Sequence, residues 1–339
     1  LQRDTSSIRS FVRNHLSAVA FVGVALAVAL GAILVLTSTQ PSLGAAAGGP
    51  VKGAAALPQQ PVPQESADGV RPSPADASAD RGPIVSDGCM VGKTGTHSSK
   101  CLYGDRKGKW TLVLFGDSHA MQYFDPLELL AKAHHWRLLV LNKRECTPGE
   151  VTIRNTATGL KYRQCDVWRR REMRRIERLG RQATVVISGD TAYTADRHGH
   201  ALAGKANAAA MEAGYIATLS RIRRAGLGTI VIKDMPESPR SIPACVEKNP
   251  QHLRACAFHR SHDANREFDA RATAAVPGTS LIDLTPEVCP HDLCRAVIGD
   301  ALVFRDKAHL TATFARTLSP WIASGLREAG VPQDGTTGS

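Results

Sequence analysis

The hydrophobic and polar positions divide the chain into three unequal regimes. Residues 16–37 read LSAVAFVGVALAVALGAILVLT, an uncharged run of 22. At about 1.5 Å per residue, such a helix crosses a bilayer core of about 30 Å. Arg3, Arg9 and Arg13 precede the run, and no Lys or Arg follows until Lys52. That flank predicts one membrane helix with residues 1–15 in the cytoplasm and the body outside, at the plasma membrane. A cleaved signal peptide is the competing reading, but its apolar core runs only about 7–15 residues. From 38 to 88 the sequence is Ala, Pro, Gly, Ser and Gln with almost no large apolar side chain, which reads as a disordered linker.

The third regime, residues 89–331, alternates short β-rich runs with helix-length segments. The spacing predicts strands at 111–115, 137–141, 184–187, 229–232 and 279–284, and helices at 121–134, 162–179, 207–224, 263–275 and 310–329. Such alternation implies an α/β domain with a parallel sheet covered on both faces, and about 240 residues suffice for one. In open sheets of this kind the site lies beyond the carboxyl ends of the strands. Residues 332–339 read as a disordered tail. The chain begins with Leu1, which fits either a fragment or an alternative start codon.

Charge and cysteine content refine this picture. The net charge of +11 would suit nucleic acid, but an extracytoplasmic body instead meets anionic headgroups or an acidic envelope polymer. The Arg-rich run at 169–178 reads as the solvated back of a helix whose buried stripe is Trp168, Glu172, Ile176 and Leu179. All eight cysteines follow the apolar run, and an oxidising compartment makes disulfides the default. Count alone leaves the pairing open. Sequence order suggests Cys89–Cys101, Cys146–Cys165, Cys245–Cys256 and Cys289–Cys294. The Cys289-Pro290-His291-Asp292-Leu293-Cys294 string lacks the tight spacing of a zinc knuckle, so no metal is expected.

Two strings carry chemistry. Phe115-Gly116-Asp117-Ser118-His119 places a serine where the first central strand gives way to a helix. Asp306-Lys307-Ala308-His309-Leu310 places an acid and a base three residues apart ahead of the last helix. Either alone is ordinary: Gly-Asp-Ser also serves as a turn and N-cap, and His309 or Asp306 as helix-start residues. Together they supply a nucleophile (Ser118), a general base (His309) and a carboxylate to orient it (Asp306). His119 reads as helix-start packing rather than a second base. Asp117, His119, Lys143 and Asp190 are candidates for substrate contact.

The paired strings are the arrangement of SGNH (GDSL-like) hydrolases, and the body resembles the SGNH domain found at the C-terminus of membrane acyltransferase-3 proteins. The likeness runs through Leu114-Phe115-Gly116-Asp117-Ser118-His119-Ala120, Lys143-Arg144-Glu145-Cys146-Thr147-Pro148 and Tyr162-Arg163-Gln164-Cys165-Asp166-Val167-Trp168-Arg169. The Cys289 to Cys294 loop and Phe304-Arg305-Asp306-Lys307-Ala308-His309-Leu310-Thr311 complete it. The resemblance implies a three-layer α/β/α, flavodoxin-like SGNH domain that moves an acyl group onto a cell-envelope glycan. No cofactor is expected beyond an acyl donor, such as acetyl derived from acetyl-CoA and delivered by a membrane acyltransferase-3 domain in cis or in trans. The expected partners are therefore that domain, the glycan and the membrane, with no nucleic acid.

The sequence departs from the family at the oxyanion hole, where SGNH enzymes use a Gly after the second strand and an Asn after the third. Here those strands end Leu141-Asn142-Lys143 and Ile187-Ser188-Gly189-Asp190. An ionised Asp190 accepts hydrogen bonds and cannot donate them. The backbone N–H groups of Ser118 and Gly189 are the candidate donors, although Gly189 also reads as a simple turn residue. Three functions are compatible with these residues: an O-acyltransferase, an esterase using the same triad with water, and a degenerate module that binds glycan.

Overall fold

The computed structural model describes residues 49–333. Chain contacts separate residues 1–50 from a compact body beginning at Val51, and the account below concerns that body. Its centre is a sheet of seven strands: β1 (Met90–Val91), β2 (Leu102–Gly104), β3 (Thr111–Gly116), β4 (Arg137–Lys143), β5 (Ala183–Ser188), β6 (Gly228–Ile232) and β7 (Thr279–Ile282). Their order is β1-β4-β3-β5-β6-β7, with β2 also on β4; all pairings are parallel except β2–β4.

The period-two pattern of β3 explains the layers. Leu112 and Leu114 point to one face, where they join Leu138, Val140, Val186, Ile230 and Ile232. Helices α2 (Phe124–Ala133), α6 (Ala312–Thr317) and α7 (Ser319–Glu328) cover that face. Val113 and Phe115 point to the other, against α3 (Arg163–Glu177), α4 (Gly204–Arg224) and α5 (Phe268–Ala275). On α3, Trp168, Glu172 and Ile176 are buried, and so is Arg169, whose guanidinium is spent on the Thr147 and Val151 carbonyls and on Asp166. The eight cysteines form four disulfides between sequence neighbours: 89–101, 146–165, 245–256 and 289–294.

Two expectations are corrected. The first is the membrane anchor, and with it the single-pass topology, the membrane partner and the plasma-membrane location. Among the described residues no helix is long and apolar enough to cross a membrane. The longest, α4, carries Lys205, Arg221, Arg223 and Arg224. The 16–37 run itself lies outside the described residues, as does the tail from 334.

The second correction concerns the disordered linker. From Val51 onward this stretch is an ordered strap on the body, held by backbone groups and small side chains rather than by an apolar stripe. Ala54 and Ala77 are fully buried, and the Ala54 N–H donates to Thr317 Oγ1 at 3.0 Å. Asp300 receives the Lys52 N–H at 2.7 Å and pairs with Arg71 at 2.5 Å. Arg295 donates to the carbonyls of Gln60 and Pro61 at 2.6 and 2.7 Å. Ala312 and Thr313 donate to the Asp80 backbone and carboxylate at 3.0 and 2.9 Å. Beyond Gly330, Pro332 still accepts from Trp136 Nε1 at 2.8 Å.

These contacts make a local prediction. Asp300→Ala removes two strap contacts at once, so amide protection over residues 52–71 should fall by roughly tenfold while β3 to β6 stay protected. Hydrogen exchange read by mass spectrometry is the check; unchanged protection of 52–71 would show that Asp300 does not hold the strap.

Candidate active site

The chain runs from β3 to β4 on one side and then returns to β5 on the other, which leaves a crevice between the carboxyl ends of β3 and β5. Gly116 makes the turn into it. A methyl group there would lie 1.9 Å from the Ser188 carbonyl oxygen and 2.8 Å from the Ala120 side chain. Asp117 then caps the short helix α1 (Ser118–Met121), its Oδ1 accepting from the His119 N–H at 2.8 Å. Asp117 Oδ2 accepts from the Asp190 N–H at 3.0 Å and the Tyr193 hydroxyl at 2.8 Å. Burial pushes the Asp117 pKa up to about 6, against the pull of His119 and these donors. Asp117 is a fully buried structural node and does not line the cleft.

Ser118 is half-buried at the first helical position, and its hydroxyl makes no hydrogen bond among the described residues. It lines a cleft of 320 Å³ together with His119, Asp190, Asp306 and His309. The His309 ring is held by Asp306, Nδ1 lying 2.8 Å from Oδ2 and 3.0 Å from Oδ1. Asp306 Oδ1 also accepts the N–H groups of Ala308 and His309, so the loop itself fixes the carboxylate. His309 Nε2 is buried and has no protein partner. Burial pushes the His309 pKa below its ordinary value, the cationic His119 pushes it the same way, and Asp306 offsets part of this. Although burial opposes it, the His309 hydrogen bond holds Asp306 well below the usual carboxylate range. A neutral imidazole with one nitrogen oriented and the other unpartnered can accept a proton.

His119, beside the serine, belongs to a second histidine–carboxylate pair. Its Nδ1 lies 2.6 Å from Asp234 Oδ1 in a fully enclosed contact, and its ring meets His309 edge-on with centroids 4.8 Å apart. Asp234 Oδ2 accepts from the N–H and the hydroxyl of Thr191, both at 2.8 Å, and Asp234 N donates to Asp269. Burial lowers the His119 pKa, but Asp234 and Asp190 more than reverse this and carry it up to about 10. Asp234 is pulled below its ordinary value by His119 despite its own burial. Ligand atoms of His119, Asp190 and Asp234 lie within 4.8 Å of one another. A protonated imidazole has no lone pair for a metal, so this chemistry fits an ion pair better than a metal site.

The other sequence candidates separate. Asp190 stays on the cleft wall, accepting from the Ala192 N–H and lying 3.6 Å from Arg266. Lys143 does not reach the cleft. It is fully buried, donating to the carbonyls of Gly92, Lys93 and Gly95 at 2.6, 2.9 and 2.8 Å, and burial lowers its pKa to about 8. Gly189 is enclosed, since a Cβ there would lie 2.7 Å from Pro148 and 2.9 Å from the Tyr215 hydroxyl. Sequence reasoning missed Asp234, which follows β6 without a motif of its own. It also missed Arg81 and Val85, which the strap contributes to the cleft wall.

A turn-borne serine that shares a cleft with a histidine–aspartate pair at the carboxyl edge of a three-layer parallel sheet is compatible with hydrolase-type α/β/α domains. The chain belongs to the family of SGNH domains fused to AT3 domains, whose model matches residues 88–324. It is similar in fold to the periplasmic domain of a lipopolysaccharide acetyltransferase from Salmonella ser. Paratyphi A. That likeness has a TM-score of 0.51 at 16% identity and covers 72% of this chain and 88% of that one. No curated protein matches the sequence.

The two histidines should titrate far apart. Nitrogen NMR of the folded protein should show His309 neutral at pH 7 and His119 protonated until about pH 10. A raised histidine pKa stabilises the fold fully below the unfolded value of about 6.5 and loses that contribution as pH rises through the folded one. Melting temperature should therefore fall as pH approaches and passes about 10, and His119→Ala, which strands Asp234, should cost about 3 kcal/mol. A His119 that titrates near 6.5 would refute the charged pair.

Proposed function

We propose that the domain is an O-acyltransferase that moves an acyl group, most simply acetyl, onto a hydroxyl of a cell-envelope glycan. The observation that carries this reading is His309, oriented by Asp306 and with an unpartnered Nε2, lining the same cleft as Ser118, whose hydroxyl has no partner among the described residues. Ser118 Oγ attacks the acyl carbonyl while His309 takes its proton, and the donor leaves with that proton returned. The acceptor hydroxyl then attacks the acyl-enzyme, giving its proton to His309 and restoring Ser118. Asp306 holds the ring tautomer and stabilises the imidazolium. Ser118 and His309 share no hydrogen bond among the described residues, and such contacts are commonly tightened by substrate.

The Ser118 N–H sits at the first helical position, where no intrahelical carbonyl reaches it, and is the preferred oxyanion donor. Gly189 is the weaker candidate because Pro148 and Tyr215 close around it. The fusion of the family to AT3 domains supports transfer over simple hydrolysis.

The test follows both acetyl release from an aryl acetate and acetyl transfer to an envelope glycan. Ser118→Ala should reduce both to background without changing the melting temperature by more than about 1 °C, since it removes one half-exposed oxygen. His309→Ala should cost roughly 10³-fold or more, and Asp306→Asn less. Wild-type turnover in Ser118→Ala would remove Ser118 from the chemistry, and no turnover in the unmodified protein would leave a glycan-binding module. Hydrolysis without transfer, even in excess acceptor, would make the protein an esterase.

A further inference from the structure

One cation in the cleft has no role in the acyl chemistry. Arg305 is only 7% exposed, lines the cleft beside Asp306 and His309, and its guanidinium forms no hydrogen bond or ion pair among the described residues. A guanidinium with so little exposed surface and no protein partner spends its donors only on what occupies the cleft. Two further arginines stand on the same wall: Arg81 from the strap and Arg144 from the turn after β4, both exposed and neither paired with an acid among the described residues. Burial lowers the Arg305 pKa; Asp306 offsets part of this, while Arg81 lies close enough to add like-charge repulsion. The acids of the cleft are meanwhile occupied. Glu145 is paired with Lys93 at 2.7 Å, Asp190 lies against Arg266, and Asp306 holds His309. The wall thus presents three cations, none of them in an ion pair among the described residues, in the cleft that Ser118 also lines, with Asp306 offsetting part of the Arg305 charge.

We propose that Arg305, with Arg81 and Arg144 at the rim, forms an anion subsite, and that the acceptor sugar carries a carboxylate or a phosphate near the hydroxyl that is acylated. The word acceptor rests on the transfer reading above; the anion subsite itself does not. Guanidinium groups suit this task, since their fork matches carboxylate and phosphate oxygens in two-pronged hydrogen bonds. The subsite also gives the strap a function, because one of its three cations comes from a segment before the family match begins.

The experiment is calorimetric titration of the intact protein with glucuronate, glucose 6-phosphate and glucose. At least one anionic sugar should bind roughly tenfold or more tightly than glucose, with affinity falling as salt rises; the tighter of the two identifies the anion as carboxylate or phosphate. Arg305→Gln should lose about tenfold in affinity for that sugar. The exposed pair Arg81→Gln/Arg144→Gln, which has little reason to misfold, should lose several-fold. Glucose binding as tightly as both anions, no heat with any of the three, or wild-type affinity in the double variant overturns the subsite. Binding needs no turnover, so the two ideas fail separately. An inert Ser118 alongside a strong preference for anions removes the transfer reading alone, and Ser118-dependent turnover without charge preference removes the subsite alone.

Discussion

The contact between His119 and Asp234, with Thr191, joins the segments that leave three neighbouring strands. His119 belongs to the turn after β3, Asp234 follows β6, and the remaining oxygen of Asp234 takes both donors of Thr191 from the loop after β5. Asp117 adds a second tie between the β3 and β5 turns through Asp190 and Tyr193. Enclosed charges are expensive to hold, and this pair is held by the direct contact together with the two Thr191 donors on Asp234. The position of Ser118 follows from this frame. It lies between two residues, Asp117 and His119, that are both locked to neighbouring strands.

The same frame separates the chemistry of two superficially similar pairs. His119–Asp234 is a buried pair whose carboxylate favours the protonated ring, whereas His309–Asp306 lies on a loop at the cleft edge with Nε2 unpartnered. A fixed cation edge-on to His309 discourages a second protonation, and so helps to keep the imidazole in its accepting form. Two histidines 4.8 Å apart are therefore driven to opposite states by their surroundings.

Much of this was legible in the sequence because it depended on short-range pattern. The alternation of Leu112, Val113, Leu114 and Phe115 marks a strand buried on both faces, and the Gly-Asp-Ser turn announces its own end. Asp306 and His309 are readable as a pair because one small loop contains both. Asp234 was not readable, since its partners lie 43 and 115 residues away and nothing local distinguishes it from a surface acid. Lys143 misled for the converse reason. A lysine after a strand is normally solvated, but here the 92–95 turn folds over it and uses its three donors. The strap was hidden because residues such as Ala54 and Pro61 attach through backbone groups, which leave no hydrophobic periodicity.

That strap divides the cleft into parts that are anchored in different ways. The serine and its histidine stand on elements whose spacing the whole sheet constrains, so few substitutions there leave the geometry intact. Arg81 and Val85 stand on a segment anchored elsewhere, by Asp300, Arg295 and the backbone of Ala312. Because the strap carries Arg81 and Val85, a substitution there changes the charge or shape of the cleft wall without replacing any residue of the sheet that positions Ser118.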